Sequence, residues 1–443
     1  MQTRNAPSGR RVWHDLTLDE LVDVALVSVL ALQGTLPVLF PASGSLSSVD
    51  PSSGPSRVAY YLISAILLIT LFYRALWVAR RIRWGQTSVR FAFAFLFYAI
   101  CSVSWGVSPI VTSIRATLLL AGMIFYANYL SIRYSVERFR VIMGISFGVF
   151  AASSILMALV FPQYGVDSAG NLGAWQGLFG QKNALGNAMA FALPIVFTIP
   201  ACHRLWKYTL LLLSSVVLVG SQSREAWIGA ACCLISFFAL KMLLNFSPRD
   251  RWLPTLIVFM VLVGFVACAI AYGEEILESL GRDTTFSGRT EIWAGVHLLI
   301  AKRPILGYGL AGMLGTGFGI WSEVQFRAGW QVPLGSTHSE YLDALLRYGI
   351  VGSAILAFSL IVGLKHAVSN LMRESGEKSL LPILLLLTLL ICEVAGQNLL
   401  VIPGLELVLF FASLFYLNDQ AVSGGIGWRS NAITVKSLES LSA

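Results

Sequence analysis

Charge is what this chain has least of. Only 12% of its 443 residues are Asp, Glu, Lys or Arg, while 56% are hydrophobic; a soluble globular domain carries roughly 25% charged residues. That balance argues against a soluble fold. Cysteine is also scarce, and the six present (Cys101, Cys202, Cys232, Cys233, Cys268, Cys392) fall within or at the ends of apolar runs. Neither a disulfide framework nor zinc-ligand spacing results. No Gly-rich phosphate loop ending in Gly-Lys-Ser/Thr occurs, so nothing points to a bound nucleotide. The polar N-terminus lacks a small-residue cleavage site before the first apolar run and reads as a retained tail, not a signal peptide.

Long apolar runs are what the chain has instead. They lie at 21–41, 59–79, 90–106, 112–131, 140–161, 184–200, 207–220, 225–244, 253–272, 341–364, 380–398 and 403–418. At about 20 apolar residues per crossing, these predict an all-α polytopic membrane protein of about 12 transmembrane helices. Alternating the loops places Arg4, Arg10 and Arg11, Arg80 to Arg90, Arg133 to Arg140, Arg204 and Lys207, Lys241 to Arg251, Lys365 to Lys378, and Arg429 and Lys436 on the side of both termini. The short loops of the other side hold only Arg57, Lys182 and Arg224. The positive-inside rule then makes both termini cytoplasmic. Topology accounts for the net charge of +8, and no nucleic-acid surface is implied. The resulting organisation is a cytoplasmic tail (1–20), crossings one to nine (21–272), a large external loop (273–340), crossings ten to twelve (341–418) and a cytoplasmic tail (419–443).

The external loop is where chemistry fits most easily. Within it Ile292, Trp293, Val296, Leu299 and Ile300 recur at helical spacing up to Pro304, which predicts an amphipathic helix lying on the outer membrane surface. The following Gly307 to Gly319 stretch has no preceding strand and reads as a flexible connection. His338 ends the loop. Thr337 and Glu340 have capping-box spacing, which would put His338 in the first turn of a helix, where the helix dipole favours the neutral, proton-accepting imidazole. An interfacial anchor is the other reading of that histidine.

Arg224 opens a crossing at a very short external turn, and Arg289 opens the surface helix. An arginine at a helix start opposes the dipole, so an anion beside it would compensate. Two such arginines with free backbone N–H groups suit a diphosphate, although pairing with Glu225 and Glu291 would also satisfy them. Trp175, Lys182 and Asn183 join an aromatic, a cation and an amide around one external turn. That mixture suits a sugar, and an interfacial belt with a helix cap explains it as well. Arg115, Arg347, Glu393 and Glu406 fall inside crossings, where each needs a partner or water. Arg115 and Glu406 both sit toward the outer half, free to pair or to line a cavity, whereas Asp343 and Arg347, four apart, suit a structural pair.

The run Gly288-Arg289-Thr290-Glu291-Ile292-Trp293, then Arg303-Pro304-Ile305-Leu306-Gly307-Tyr308-Gly309, then His338 followed after ten residues by Gly349, resembles the O-antigen ligase and polymerase superfamily. Ser223-Arg224 at a short external turn matches it too. The segment from Trp175 to Asn183 with Leu185-Gly186 looks most like the succinoglycan-type exopolysaccharide polymerases. The resemblance implies a bacterial inner-membrane glycosyltransferase of lipid-carrier-dependent, GT-C-like architecture, with its large loop in the periplasm. It implies an undecaprenyl-diphosphate-linked oligosaccharide donor and acceptor in membrane lipid, with no cofactor and no bound metal, and it leaves room for chain-length or export partners. By motif, His338 is the base or acceptor-orienting group and Arg224 and Arg289 bind the diphosphate; Lys182, Asn183, Trp175 and Arg115 are the candidate substrate contacts on the residue chemistry given above. The ligase branch has leucine four residues after its arginine; here Trp293 stands in that place.

The sequence therefore leads first to a polymerase of lipid-linked repeat units and second to a ligase transferring glycan to lipid A core or protein. A transporter or flippase should show two similar halves and midplane ionisable groups, whereas the unusual residues here cluster on one side. An export scaffold would need neither His338 nor the arginines.

Overall fold

The computed structural model describes residues 16–32, 56–167, 172–200, 203–257, 260, 289–312, 337, 339–373, 376–394 and 404–423. Its helices of more than one turn are α1 (Leu18–Leu32), α2 (Ser56–Ala79), α3 (Thr87–Cys101), α4 (Ile110–Arg133), α5 (Val136–Val160), α6 (Lys182–Thr198), α7 (Arg204–Gly220), α8 (Arg224–Leu244), α9 (Arg289–Lys302), α10 (Glu340–Leu371), α11 (Gly376–Cys392) and α12 (Leu405–Ser423). Five stretches, Thr87–Ser104, Ile110–Arg133, Val136–Val160, Arg224–Leu244 and Glu340–Leu371, are long and apolar enough to cross a bilayer. The protein is thus a helical, polytopic integral membrane protein. Of the expected crossings, 33–41, 261–272 and 395–398 lie outside the described residues, as do 273–288 and 313–336 of the large loop.

Local sequence sets several helix starts. Thr17 and Glu20 form a reciprocal capping box at α1: Glu20 N donates to Thr17 Oγ1 (3.4 Å) and Thr17 N donates to Glu20 Oε2 (2.8 Å). Arg138, near the start of α5, donates to the same carboxylate, and this charged partner holds Glu20 well below the usual range, at about 2. Ser135 caps α5 by accepting from Arg138 N (3.3 Å).

The core forms around α12, apolar on every side and therefore central. Leu407, Val408, Phe411, Leu414, Phe415 and Leu417 are all fully buried, and α12 packs on α4, α10 and α11. The α2–α4 and α6–α8–α11 groups flank it. Beside α2 a carboxylate is fully enclosed. Asp23 accepts from Tyr126 (3.3 Å), Tyr129 (3.3 Å) and Tyr134 (2.5 Å) and lies 3.2 Å from Arg74 Nη2. The Arg74 guanidinium also rests 4.8 Å from the centre of the Tyr129 ring.

A second buried cation serves helix ends. Arg251 donates to Leu371 O (2.8 Å), Arg373 O (2.9 Å), Phe246 O (3.0 Å) and Leu244 O (3.4 Å), so one guanidinium satisfies carbonyls left over where α8 and α10 finish. Arg251→Ala strands those carbonyls and is expected to cost about 3 kcal/mol. The check is the thermal unfolding midpoint of the detergent-purified protein, which should fall by several degrees; an unchanged midpoint would mean water replaces the guanidinium without loss.

Candidate active site

The turn between α7 and α8 is tight. Gln222 takes a left-handed conformation (φ 51°), Ser221 and Ser223 are buried, and Trp227 Nε1 donates to Leu218 O (2.9 Å) across the turn. Trp175 N donates to Gly220 O (2.8 Å), and its ring lies so close to Gly220 that a Cβ there would sit 2.6 Å from it. The α5–α6 connection is thereby laid over the start of α8. Lys182 opens α6 and Arg224 opens α8, two helices that pack directly on each other. Burial holds the Lys182 ammonium below the usual lysine range and the Arg224 charge lowers it further, while Asp167 and Glu225 act in the opposite sense. Asn187 Nδ2 donates to Glu225 Oε1 (3.4 Å). The structure thus brings together Trp175, Lys182 and Arg224, with Asn183 half-buried beside Lys182.

The start of α10 reaches the same end of the bundle. Gly229, little more than one turn into α8, packs on Cys392 of α11, and the next residue, Glu393, accepts from Glu340 N (3.2 Å). Helix α10 begins at Glu340 with Ser339 as its N-cap residue, so the expected pairing of Thr337 with Glu340 is corrected. Thr337 turns instead to Asp343, whose Oδ2 accepts from Thr337 N (3.2 Å) and Oγ1 (3.0 Å). A carboxylate in the first turn is favoured by the helix dipole, and this one outcompetes Glu340. Trp293 Nε1 donates to Thr337 O (3.0 Å), which sets α9 against the same peptide.

His338 follows that peptide and itself lies outside the described residues. Arg289 is the first residue of α9, one turn before Trp293; its backbone is helical and its side chain is not described. Arg115 is half-buried on α4, which packs mainly with α2, α12 and α3. Glu406 lies in the first turn of α12, a neighbour of α4.

Two further readings are corrected. The apolar face of α9 does not lie on lipid: Ile292, Val296 and Leu299 are buried with Tyr308 and Leu346. The stretch from Gly307 to Gly312 is not a flexible connection. Helix α10 breaks at Gly349 (φ 59°, ψ −166°), and the backbone groups exposed by that break are taken up by the Pro304 to Gly309 turn. Ile350 N donates to Pro304 O (2.8 Å), Tyr308 N to Leu346 O (2.9 Å) and Gly309 N to Arg347 O (2.9 Å). Arg347 Nη1 donates to Leu310 O (2.9 Å), and its Nε lies 3.8 Å from Asp343 Oδ1, as the four-residue spacing predicts. From the α3–α4 loop, Ser102 Oγ accepts from Leu310 N (3.0 Å) and Ser108 Oγ donates to Gly312 O (2.7 Å). The sequence marks Asp343 only as the partner of Arg347 and Gly349 only as part of the family motif, and it gives no sign of Ser102, whose partner Leu310 is 208 positions away.

Residues 209–357 match the O-antigen ligase family; they include Arg224, Arg289, His338 and Gly349. Over that stretch the chain is similar to the O-antigen ligase and polymerase superfamily. Among curated proteins it is similar to the exopolysaccharide production protein ExoQ of Rhizobium meliloti (strain 1021), with 24% identity over 331 residues, covering 69% of this chain and 73% of the relative. Because α6 packs on α8 with Gly186 against Ser223 and Ala226, Lys182 and Arg224 stand at neighbouring helix starts and can present two cations to a single anion.

Proposed function

We propose that the protein is an exopolysaccharide polymerase, transferring glycan from an undecaprenyl-diphosphate-linked repeat unit to a second lipid-linked unit at the periplasmic face of the bacterial inner membrane. A ligase-like or polymerase-like function in exopolysaccharide production is supported by the family match and the ExoQ relative together. The observation that carries the finer reading is the meeting of Arg224 and Lys182 at the end of the bundle where α10 and the peptide before His338 also lie.

In this reading the acceptor hydroxyl gives its proton to His338 as its oxygen bonds to the anomeric carbon, and the bond from that carbon to the carrier diphosphate breaks. Arg224, Arg289 and Lys182 hold the charge that grows on the departing diphosphate. Trp175 and Asn183 line the sugar side, and Arg115 lies farther along the bundle as a contact for the carrier. No nucleotide is needed, because the lipid diphosphate is already an activated donor. The full architecture is then GT-C-like, with twelve crossings, cytoplasmic termini and a periplasmic large loop; chain-length or export proteins are its partners.

The test is product length from lipid-diphosphate-linked repeat units alone, with purified protein in proteoliposomes and chelator present. A polymer ladder is expected. The family description favours one other reading, a ligase, and transfer that starts only after lipid A core is added would establish it. Arg289→Lys is expected to reduce ladder formation by at least tenfold, since a point charge does not replace a bidentate guanidinium; full activity in that variant would leave only simple charge attraction.

A further inference from the structure

From residue 51 to residue 136 the chain contains no Asp or Glu, yet it carries Arg57, Arg74, Arg80, Arg81, Arg83, Arg90, Arg115 and Arg133. The fold neutralises some of these internally: Arg74 pairs with Asp19 and Asp23, and Arg83 pairs with Asp419 at the far end of α12. Arg80, Arg81 and Arg90 remain exposed around the α2–α3 turn. Arg90 Nε donates to Trp84 O (2.6 Å) and Arg81 Nη1 to Trp77 O (2.7 Å), so each guanidinium is fixed at one side with its other N–H groups directed away from that bond. Arg81 also stacks over the Trp77 ring at 4.2 Å.

Below Arg90 a groove of about 490 Å³ runs along the outer face of α3, lined by Trp84, Phe93, Ala94, Leu96, Phe97 and Ile100. Phe97 is 68% exposed and Trp84 54%, and α3 belongs to a stretch able to cross the bilayer. The groove therefore opens sideways into lipid, with an indole and a guanidinium at one end and hydrocarbon along its length. This end is remote from the candidate active site. Asn370 Nδ2 donates to Leu417 O (2.9 Å), so the finish of α10 lies beside the finish of α12, and about 20 residues of helix at roughly 1.5 Å each separate it from the break at Gly349. That unbroken piece alone is about as long as the roughly 30 Å hydrocarbon thickness, and the α10 start lies beyond it.

We propose that this groove is a binding site for an anionic phospholipid, whose phosphate is held by Arg90 with Arg80 and Arg81 close by, and whose acyl chain lies on Phe93, Phe97 and Ile100. Charge complementarity identifies the occupant. A zwitterionic lipid brings an ammonium group to a turn with no carboxylate in its own sequence, where the described carboxylate of Asp419 is already taken by Arg83, whereas an anionic headgroup meets the exposed guanidinium groups of Arg80, Arg81 and Arg90. A second copy of the chain would bring the same arginines against each other.

The test is native mass spectrometry of the full chain, purified in mild detergent and supplied with equal amounts of dioleoyl phosphatidylglycerol and dioleoyl phosphatidylcholine. The wild type should retain phosphatidylglycerol about fivefold over phosphatidylcholine, the factor that roughly 1 kcal/mol per interfacial arginine implies. Arg90→Gln should bring retention close to parity, Arg90→Lys should keep most of the preference, and Phe97→Ala should lower retention of both lipids. Parity in the wild type, or an unchanged preference in Arg90→Gln, overturns the proposal. A dimer that holds no lipid and dissociates in Arg90→Gln overturns it in favour of a second copy. If Arg90→Gln fails to fold, the unfolding midpoint of the wild type decides: it should rise with phosphatidylglycerol and not with phosphatidylcholine, and equal shifts would refute the site.

Discussion

His338→Ala is expected to leave the protein folded in the membrane and to reduce polymer formation by roughly 10²- to 10⁴-fold, the usual contribution of a positioned general base. The structure explains why the fold should survive. The peptide before His338 is held by Thr337 itself, through Asp343 on α10 and Trp293 on α9, and α10 starts on Ser339 and Glu340. None of these contacts uses the imidazole. The measurement is the polymer ladder from proteoliposomes, normalised to folded protein by gel filtration. His338→Gln separates the two roles left open for the histidine: an amide can orient an acceptor hydroxyl but cannot take its proton. Recovery of activity in the glutamine variant would assign orientation, and a wild-type ladder in the alanine variant would remove His338 from the site altogether.

Gly349→Ala should be as damaging by a different route. At φ 59° and ψ −166° the backbone occupies a region open essentially to glycine. A Cβ there would also overlap the Ile305 carbonyl and lie 2.7 Å from Gly307 N. Both neighbours are backbone atoms in a hydrogen-bonded turn, so neither can swing aside, and a loss of more than about 3 kcal/mol follows. The turn would lift from α10 and take Arg347 away from Leu310, leaving the Asp343 clamp on Thr337 without its second support. A lower unfolding midpoint and loss of the ladder are expected together. Wild-type stability in this variant would show that the helix can heal across position 349.

The helices were legible because hydropathy is a local property. The 112–131 run became Ile110–Arg133 and the 225–244 run became Arg224–Leu244, and the Asp343 to Arg347 pair followed from helical spacing alone. Spacing also marked the apolar face of α9, but a stripe of Ile292, Val296 and Leu299 has the same period whether it meets lipid or Tyr308. Gly349 lay inside an apolar run that continues on both sides of it, so the pattern gave no sign of a break. Asp23 meets Arg74, Arg251 meets Leu371 and Ser102 meets Leu310 across 51, 120 and 208 positions, distances over which no local pattern operates. At the candidate site, Trp175, Lys182 and Arg224 could be flagged as odd residues at helix starts, while their meeting required the fold.

The enclosed Asp23 also bears on how the chain enters the bilayer. A charged side chain within a crossing inserts at a penalty that reaches roughly 2.5–3.5 kcal/mol at the helix centre and is smaller toward the ends, and α1 and α2 each carry one such group toward one end, Asp23 and Arg74, 3.2 Å apart once packed. Each helix thus supplies the counter-ion the other needs, which favours their integration as a hairpin over stepwise release into lipid. The hydroxyls of Tyr126, Tyr129 and Tyr134 reach Asp23 only after α4 has emerged, so this first pair remains a partly open socket until the fourth helix closes it.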